Sequence, residues 1–244
     1  MNQSKSKRRG RTGAIVVGAG GGKRLGGVEK AFMQIGGCPL IAYSVEVFCA
    51  HPEVDEVCMV VSGESIARSW AMSRERGWRK VTAVVSGGTE RQGSVRAGLD
   101  ALTHCDWVLV HDAARPLVSH ELITRGLTAG AATGAAVAAT PVRDTLKRVS
   151  AAETAEPWPA VHETVDRSEL WAAQTPQVFR VSLLRKAFAR VGANASALTD
   201  DASVVQAAGF PVHLYTGDVQ NMKVTLPEDI AVIEALLAWR AINS

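Results

Sequence analysis

The 244-residue sequence has no apolar run long enough to cross a bilayer, because charge or glycine interrupts every candidate within about 20 residues. No apolar stretch follows the basic residues Lys5, Lys7, Arg8 and Arg9, so the start of the chain does not read as a secretory signal. Its four cysteines, Cys38, Cys49, Cys58 and Cys105, show no C-x-x-C spacing. A disulfide framework is not expected in a chain of this size without such a signal. The six histidines form no metal-ligand cluster, and no internal repeat suggests a solenoid. No acidic residue occurs among the first 13 positions, which hold Lys5, Lys7, Arg8, Arg9 and Arg11. This tail supplies more than the whole formal charge of +3 and leaves residues 14–244 at −2. The basic balance therefore does not describe the body of the protein. Residues 1–13 are expected to be a disordered basic tail rather than a nucleic-acid-binding arm. No membrane partner and no nucleic-acid partner is expected, and the location is read as cytoplasmic.

What is present is a large apolar fraction, 47%, enough for one α/β domain with a proper core. Short, nearly continuous apolar runs at 14–17, 57–61, 81–85, 107–110 and 135–139 read as buried strands. Helical spacing recurs between them, at 40–48, 65–76, 94–102 and 122–127. Alternating strands and helices predict a single Rossmann-like α/β domain over 14–244, with a mostly parallel twisted sheet covered by helices on both faces. Residues 150–176 carry Pro157, Pro159 and Pro176 and read as an extended arm. Helices from about 181 and over 200–208, a strand at 212–215 and a helix from Pro227 to about 241 complete the order. Ligands of such sheets bind at the carboxyl ends of the strands. The loops expected there are 18–27, 86–91 and 111–116.

The first of these loops, Gly18-Ala19-Gly20-Gly21-Gly22-Lys23-Arg24, is neither of two familiar phosphate motifs. A G-x-G-x-x-G fingerprint would need a third glycine where Lys23 or Leu25 stands. A P-loop would need glycine at Val17 and a hydroxyl residue at Arg24. What remains is a glycine-rich cradle for a polyphosphate, with Lys23, Arg24 and Lys30 supplying cations.

Several blocks stand out along the chain. They are the glycine loop with Lys30, Gly87-Gly88-Thr89-Glu90-Arg91-Gln92-Gly93-Ser94-Val95, Asp112-Ala113-Ala114-Arg115-Pro116 and Val142-Arg143-Asp144-Thr145-Leu146-Lys147. Thr164-Val165-Asp166-Arg167, Gln174-Thr175-Pro176-Gln177-Val178-Phe179, Thr199-Asp200-Asp201-Ala202-Ser203 and Asn221-Met222-Lys223-Val224-Thr225 follow in order. Read together, these blocks resemble the 2-C-methyl-D-erythritol 4-phosphate cytidylyltransferase family of isoprenoid precursor synthesis, over about residues 14–237. Glu29, Ala31 and Thr89 depart from it: the family usually has Pro, Gln and an acid at those places.

The resemblance implies transfer of the cytidylyl group of CTP to methylerythritol phosphate, with Mg²⁺ bound mainly through the CTP phosphates. It implies catalytic roles for Arg24, Lys30, Arg167 and Lys223. The nucleotide would lie against Ala19, Gly20, Gly21, Gly22, Gly88, Thr89, Ser94 and Ala113. The acceptor would meet Asp112, Arg115, Thr145 and Thr175. It also implies a homodimer, in which the arm carries Arg167 into the other subunit's site. Asp200 and Asp201 read as helix caps. Three alternatives stay open: a cytidylyltransferase for ribitol 5-phosphate or another sugar phosphate, a non-catalytic nucleotide-binding regulator on the same fold, and a nucleic-acid binder acting through the tail.

Overall fold

A computed structural model describes residues 10–20, 29–150, 157–192 and 198–242. Gly21, Gly22, Lys23 and Arg24 of the glycine loop lie outside these, as do the first nine residues of the tail.

The chain opens with β1 (Thr12–Val17), and after the glycine loop come the two-residue strands β2 (Gln34–Ile35) and β3 (Cys38–Pro39). Helix α1 (Leu40–Ala50), β4 (Glu56–Val61), α2 (Ile66–Glu75), β5 (Val81–Ser86) and α3 (Arg91–Ala101) follow. Then come β6 (Trp107–Asp112), α4 (His120–Thr133), β7 (Ala135–Pro141) and the short pair β8 (Leu146–Val149) and β9 (Val161–Val165). Strand β10 (Trp171–Arg180), α5 (Val181–Val191), α6 (Asp201–Ala207), β11 (His213–Thr216) and α7 (Asp229–Ile242) end the chain.

Seven strands form the main sheet in the order β11-β7-β10-β6-β1-β4-β5. β10 runs antiparallel to both of its neighbours, β6 and β7, and every other pairing is parallel. Strand residues alternate between faces, as a two-residue period requires. Ala14, Val16, Val57, Met59 and Val61 pack with α1, α2 and α4, whereas Ile15, Cys58 and Val60 pack with α3, α5 and α6. Both faces are therefore dry, which is why these strands read as unbroken apolar runs. A smaller core of Ile35, Leu40, Leu117, Val224 and Ile233 seats α7. Among the described residues no helix is long and apolar enough to cross a membrane.

Three boundaries differ from the sequence expectation. The folded chain begins before residue 14: the Arg11 backbone N–H donates to Asp106 Oδ2 at 2.9 Å and its guanidinium reaches Glu56 Oε1 at 2.5 Å. The segment expected as one arm, 150–176, divides. Its first part contributes to an exposed antiparallel hairpin of β8 and β9, while from Trp171 onward the chain enters the middle of the sheet. Pro176, which has no N–H for a ladder, falls where the β10–β7 register shifts between Ala173 and Gln177. The last helix starts at Asp229 rather than Pro227, and the Asp229 carboxylate accepts from the Thr225 and Leu226 N–H groups at 2.6 and 2.8 Å.

Candidate active site

The order of the strands reverses direction between β1 and β6, because chain order runs outward from β1 through β4 to β5 on one side and resumes at β6 on the other. The carboxyl ends of strands at such a point open into a crevice. A cleft of about 490 Å³ lies there. Its walls come from the end of β1 with Gly18, Ala19 and Gly20, the turn before α3 with Gly88 and Thr89, the end of β6 with Asp112 and Ala113, and the segment before α7 with Lys223 and Thr225. Lys30 and Ser94 also line it.

Two walls approach closely enough to demand glycine. A Cβ on Gly87 would collide with the Ala19 Cβ and come within 2.7 Å of Ser94 Oγ. Ser94, one turn into α3, accepts from the Gly88 N–H at 3.2 Å and fixes this turn against the helix start.

The cations are held by backbone and carboxylate. Lys30 follows the glycine loop in a short 3₁₀ turn and donates through Nζ to the Val224 carbonyl at 2.7 Å. The neighbouring Lys223 Nζ meets Asp112 Oδ2 at 2.7 Å and remains 43% exposed in the cleft. The Val224 N–H donates to the Ala114 carbonyl at 2.8 Å, so one extended segment carries Lys223, braces Lys30 and is itself fastened behind Asp112. Asp112 Oδ1 accepts from Arg91 Nε at 3.2 Å. Burial would raise the Asp112 carboxyl, but the charges of Arg91 and Lys223 outweigh it and hold the group well below the usual carboxylate range.

Beneath the cleft lies a second set of bonds. The Asp112 N–H donates to Thr175 Oγ1 at 3.1 Å, and Thr175 Oγ1 lies 3.0 Å from His111 Nδ1. His111 Nε2 lies 3.0 Å from the Arg115 carbonyl, which can only accept. The proton therefore sits on Nε2, and the Thr175 hydroxyl donates to Nδ1. Full burial depresses the His111 pKa to about 4, so the ring is neutral at pH 7.

The structure gathers Ala19, Gly20, Lys30, Gly88, Thr89, Ser94, Asp112, Ala113 and Lys223 around the cleft. Arg115 and Thr175 lie behind that wall. Arg115 does not pair with Asp112 across its turn: Nη1 donates to the Asn221 carbonyl at 2.7 Å. Thr145 and Arg167 are exposed near the hairpin, and the Arg167 guanidinium donates to the Arg143 carbonyl rather than to Asp166 or Glu169. Arg24, Gly21 and Gly22 fall outside the described residues. Asp200 does cap α6, accepting from the Ser203 N–H at 2.9 Å. Asp201 does not share that job: it is fully buried and paired with Arg91 Nη1 at 2.5 Å. The sequence gives no site role to Arg91, Asp201 or His111. The available signal was a charged residue inside a matching block, Arg91 in 87–95 and Asp201 in 199–203.

Comparison with known proteins gives one answer. The profile of the 2-C-methyl-D-erythritol 4-phosphate cytidylyltransferase family matches residues 12–239. A protein of that name from Dehalococcoides mccartyi is 42% identical over 227 residues, covering 93% of this chain and 96% of its own. The crystal structure of 2-C-methyl-D-erythritol 4-phosphate cytidylyltransferase from Thermus thermophilus superposes with a TM-score of 0.75 at 34% identity, covering 93% of this chain and 98% of its own. That of 4-diphosphocytidyl-2C-methyl-D-erythritol synthase from Anaerococcus prevotii superposes at 0.80 with 25% identity, covering 94% and 97%. With the cleft at the switch point and both lysines in it, the chain belongs to the 2-C-methyl-D-erythritol 4-phosphate cytidylyltransferase family.

Proposed function

We propose that the cleft joins the cytidylyl group of CTP to 2-C-methyl-D-erythritol 4-phosphate in a cytoplasmic step of isoprenoid precursor synthesis. One observation carries the residue roles: Lys30 and Lys223 stand in one cleft, both fastened through the segment 221–225. An oxygen of the acceptor phosphate attacks the α-phosphorus of CTP. A new P–O bond forms, the bond from the α-phosphorus to the bridging oxygen breaks, and its electron pair leaves with pyrophosphate. A phosphate monoester is mostly dianionic at neutral pH, with a second pKa of about 6, so attack needs no general base. The barrier is the meeting of two polyanions, and fixed cations lower it.

In this reading Arg24 and Lys30 stabilise charge around the α-phosphorus. Backbone N–H groups of 19–22 hold the triphosphate, and Gly88, Thr89, Ser94 and Ala113 line the nucleoside pocket. Lys223 and Arg167 align the acceptor phosphate. Asp112 meets the polyol, and Thr145, which lies near the hairpin, would reach it only from the other subunit, while Arg115 and Thr175 act from behind the wall by fixing the Asp112 turn.

Both Asp112 oxygens are taken by cations, and among the described residues no group of three acidic, histidine or cysteine side chains could cage a metal. That donor set suits Mg²⁺ carried by the nucleotide phosphates, as is usual for this ion. Bound there, it would neutralise phosphate charge and ease departure of pyrophosphate.

The arm supports a homodimer reading. A two-stranded hairpin is marginal alone, and this one exposes Leu146, Val161 and, just before β9, Trp158. In this reading a second copy covers the hairpin, and Arg167 serves the other subunit's cleft.

The test is pyrophosphate release with CTP and methylerythritol phosphate, compared with ribitol 5-phosphate as acceptor and with ATP or GTP as donor. Turnover should be fastest with CTP and methylerythritol phosphate. Faster turnover with ribitol 5-phosphate would replace this acceptor.

A further inference from the structure

Arg91, the first residue of α3, is a largely buried cation in the wall of the cleft. Its Nη1 donates to Asp201 Oδ2 at 2.5 Å and its Nε to Asp112 Oδ1 at 3.2 Å. Asp112 Oδ2 then accepts from Lys223 Nζ at 2.7 Å. Four charges of alternating sign thus run in one line, Asp201, Arg91, Asp112, Lys223. They come from the start of α6, the start of α3, the end of β6 and the segment before α7.

This line is a poor device for stability alone. Asp201 has no exposed side-chain surface, and its Oδ1 finds no partner among the described residues. Taking such a pair out of water costs several kcal/mol per ion on the usual scale, and an apolar pair of the same volume is often as stable. What the pair does supply is direction. A guanidinium presents its donors in a rigid plane, so two carboxylates bound to it are fixed in angle as well as distance. With Oδ1 of Asp112 held by Arg91, Oδ2 is left for Lys223.

The other charged or titratable neighbours do not replace this contact. Arg115 donates to the Asn221 and Ala173 carbonyls, and His111 is engaged with Thr175 and the Arg115 carbonyl. Thr175 binds the Asp112 N–H, not its carboxylate.

We propose that Arg91, braced by Asp201, is a positioning residue for the acceptor half of the reaction: it sets the Asp112 carboxylate, which sets Lys223 where the acceptor phosphate docks. The role rests on the cytidylyl-transfer reading. Wild-type turnover with CTP and methylerythritol phosphate checks that reading separately, before any variant is compared.

Arg91→Met alone strands a buried carboxylate and is expected to unfold readily. Arg91→Met combined with Asp201→Asn removes both charges and restores a measurable fold. In the folded double variant, KM for methylerythritol phosphate should rise at least about tenfold, a loss of about 1.4 kcal/mol in acceptor binding, while KM for CTP moves less than about threefold. Arg91→Lys keeps the charge but reaches one carboxylate instead of two, so its acceptor KM should fall between wild type and the double variant. An unchanged acceptor KM in the folded double variant would overturn the proposal. So would a rise confined to the KM for CTP, which would put Arg91 on the nucleotide instead.

Discussion

His111 sits at the junction of three site-forming pieces, with β10 on one ring nitrogen and the Asp112–Arg115 turn on the other. Its neutral ring makes a pH prediction with a definite sign. Free histidine titrates near 6.5 and this one near 4 because it is buried. Between those values the unfolded chain binds a proton that the folded chain refuses, so stability falls as pH drops. The contribution is present above about pH 6.5 and lost by about pH 4, up to roughly 3 kcal/mol at about 1.4 kcal/mol per unit. Urea unfolding of the wild type and His111→Asn across this range checks it. The variant should be less stable at pH 7 but should lack that part of the slope; parallel slopes would place the charged ring in the folded state. Glu29 shows a different limit of residue-level reading. It departs from the proline that the family resemblance led to expect, and it accepts from the Ser62 N–H, Ser65 Oγ and Arg68. The departure thus brings its own anchors to the residue before Lys30. Lys30, Lys223 and Asp112 were legible because the family resemblance implied a role for each of them, which it did not for Arg91 or Asp201 in their own blocks. Arg91 and Asp201 were not, because the bond that defines them joins residues 110 apart in the chain, and no local pattern reports it.

At the scale of elements, strands and helices of the parallel part were legible from apolar period alone, since each is buried in a regular way. β10 was not. Its sequence mixes Gln174, Thr175, Pro176 and Gln177 into what turns out to be a buried strand. These polar groups find partners only in the fold: Gln174 Nε2 donates to the Asp218 carbonyl at 2.8 Å, and Gln177 Nε2 to Asp200 Oδ2 at 2.7 Å. A stretch read as the end of an arm on its prolines is here a central strand, fastened by its polar side chains. The packing of α4 on this strand depends on a small residue. A Cβ on Gly130 would lie 2.7 Å from Val178 Cγ1, and Val178 is a stiff, fully buried side chain. Gly130→Val should overpack this contact and cost about 1–3 kcal/mol, despite valine's better helix propensity. A urea midpoint at or above that of the wild type would show that α4 can shift away from the sheet without loss.

For the whole molecule, the decisive question is whether one chain completes its own site. Lys30 lines the cleft, whereas Arg167 is exposed near the hairpin and bonded to its own Arg143 carbonyl. If the dimer reading holds, Lys30→Ala and Arg167→Ala homodimers each lose about 10²-fold or more in kcat. Unfolding the two together and refolding them in equal amounts makes about half the dimers mixed. In each mixed dimer one site pairs a wild-type Lys30 with the partner subunit's wild-type Arg167. About a quarter of all sites should then recover, as closed two-fold pairing requires. Mixed dimers without recovery would assign both residues to one subunit. The order of the sheet also has a consequence for synthesis. β6 and β7 follow one another in the chain, but they are not neighbours: β10, made later, fills the space between them. Until Arg180 has left the ribosome, the nascent sheet therefore presents two apolar strands with open facing edges, the kind of surface that invites aggregation. Lys223, the partner of Asp112, emerges later still. The cleft is thus among the last parts of this protein to come into existence, and the growing chain carries its exposed edges before it has a site.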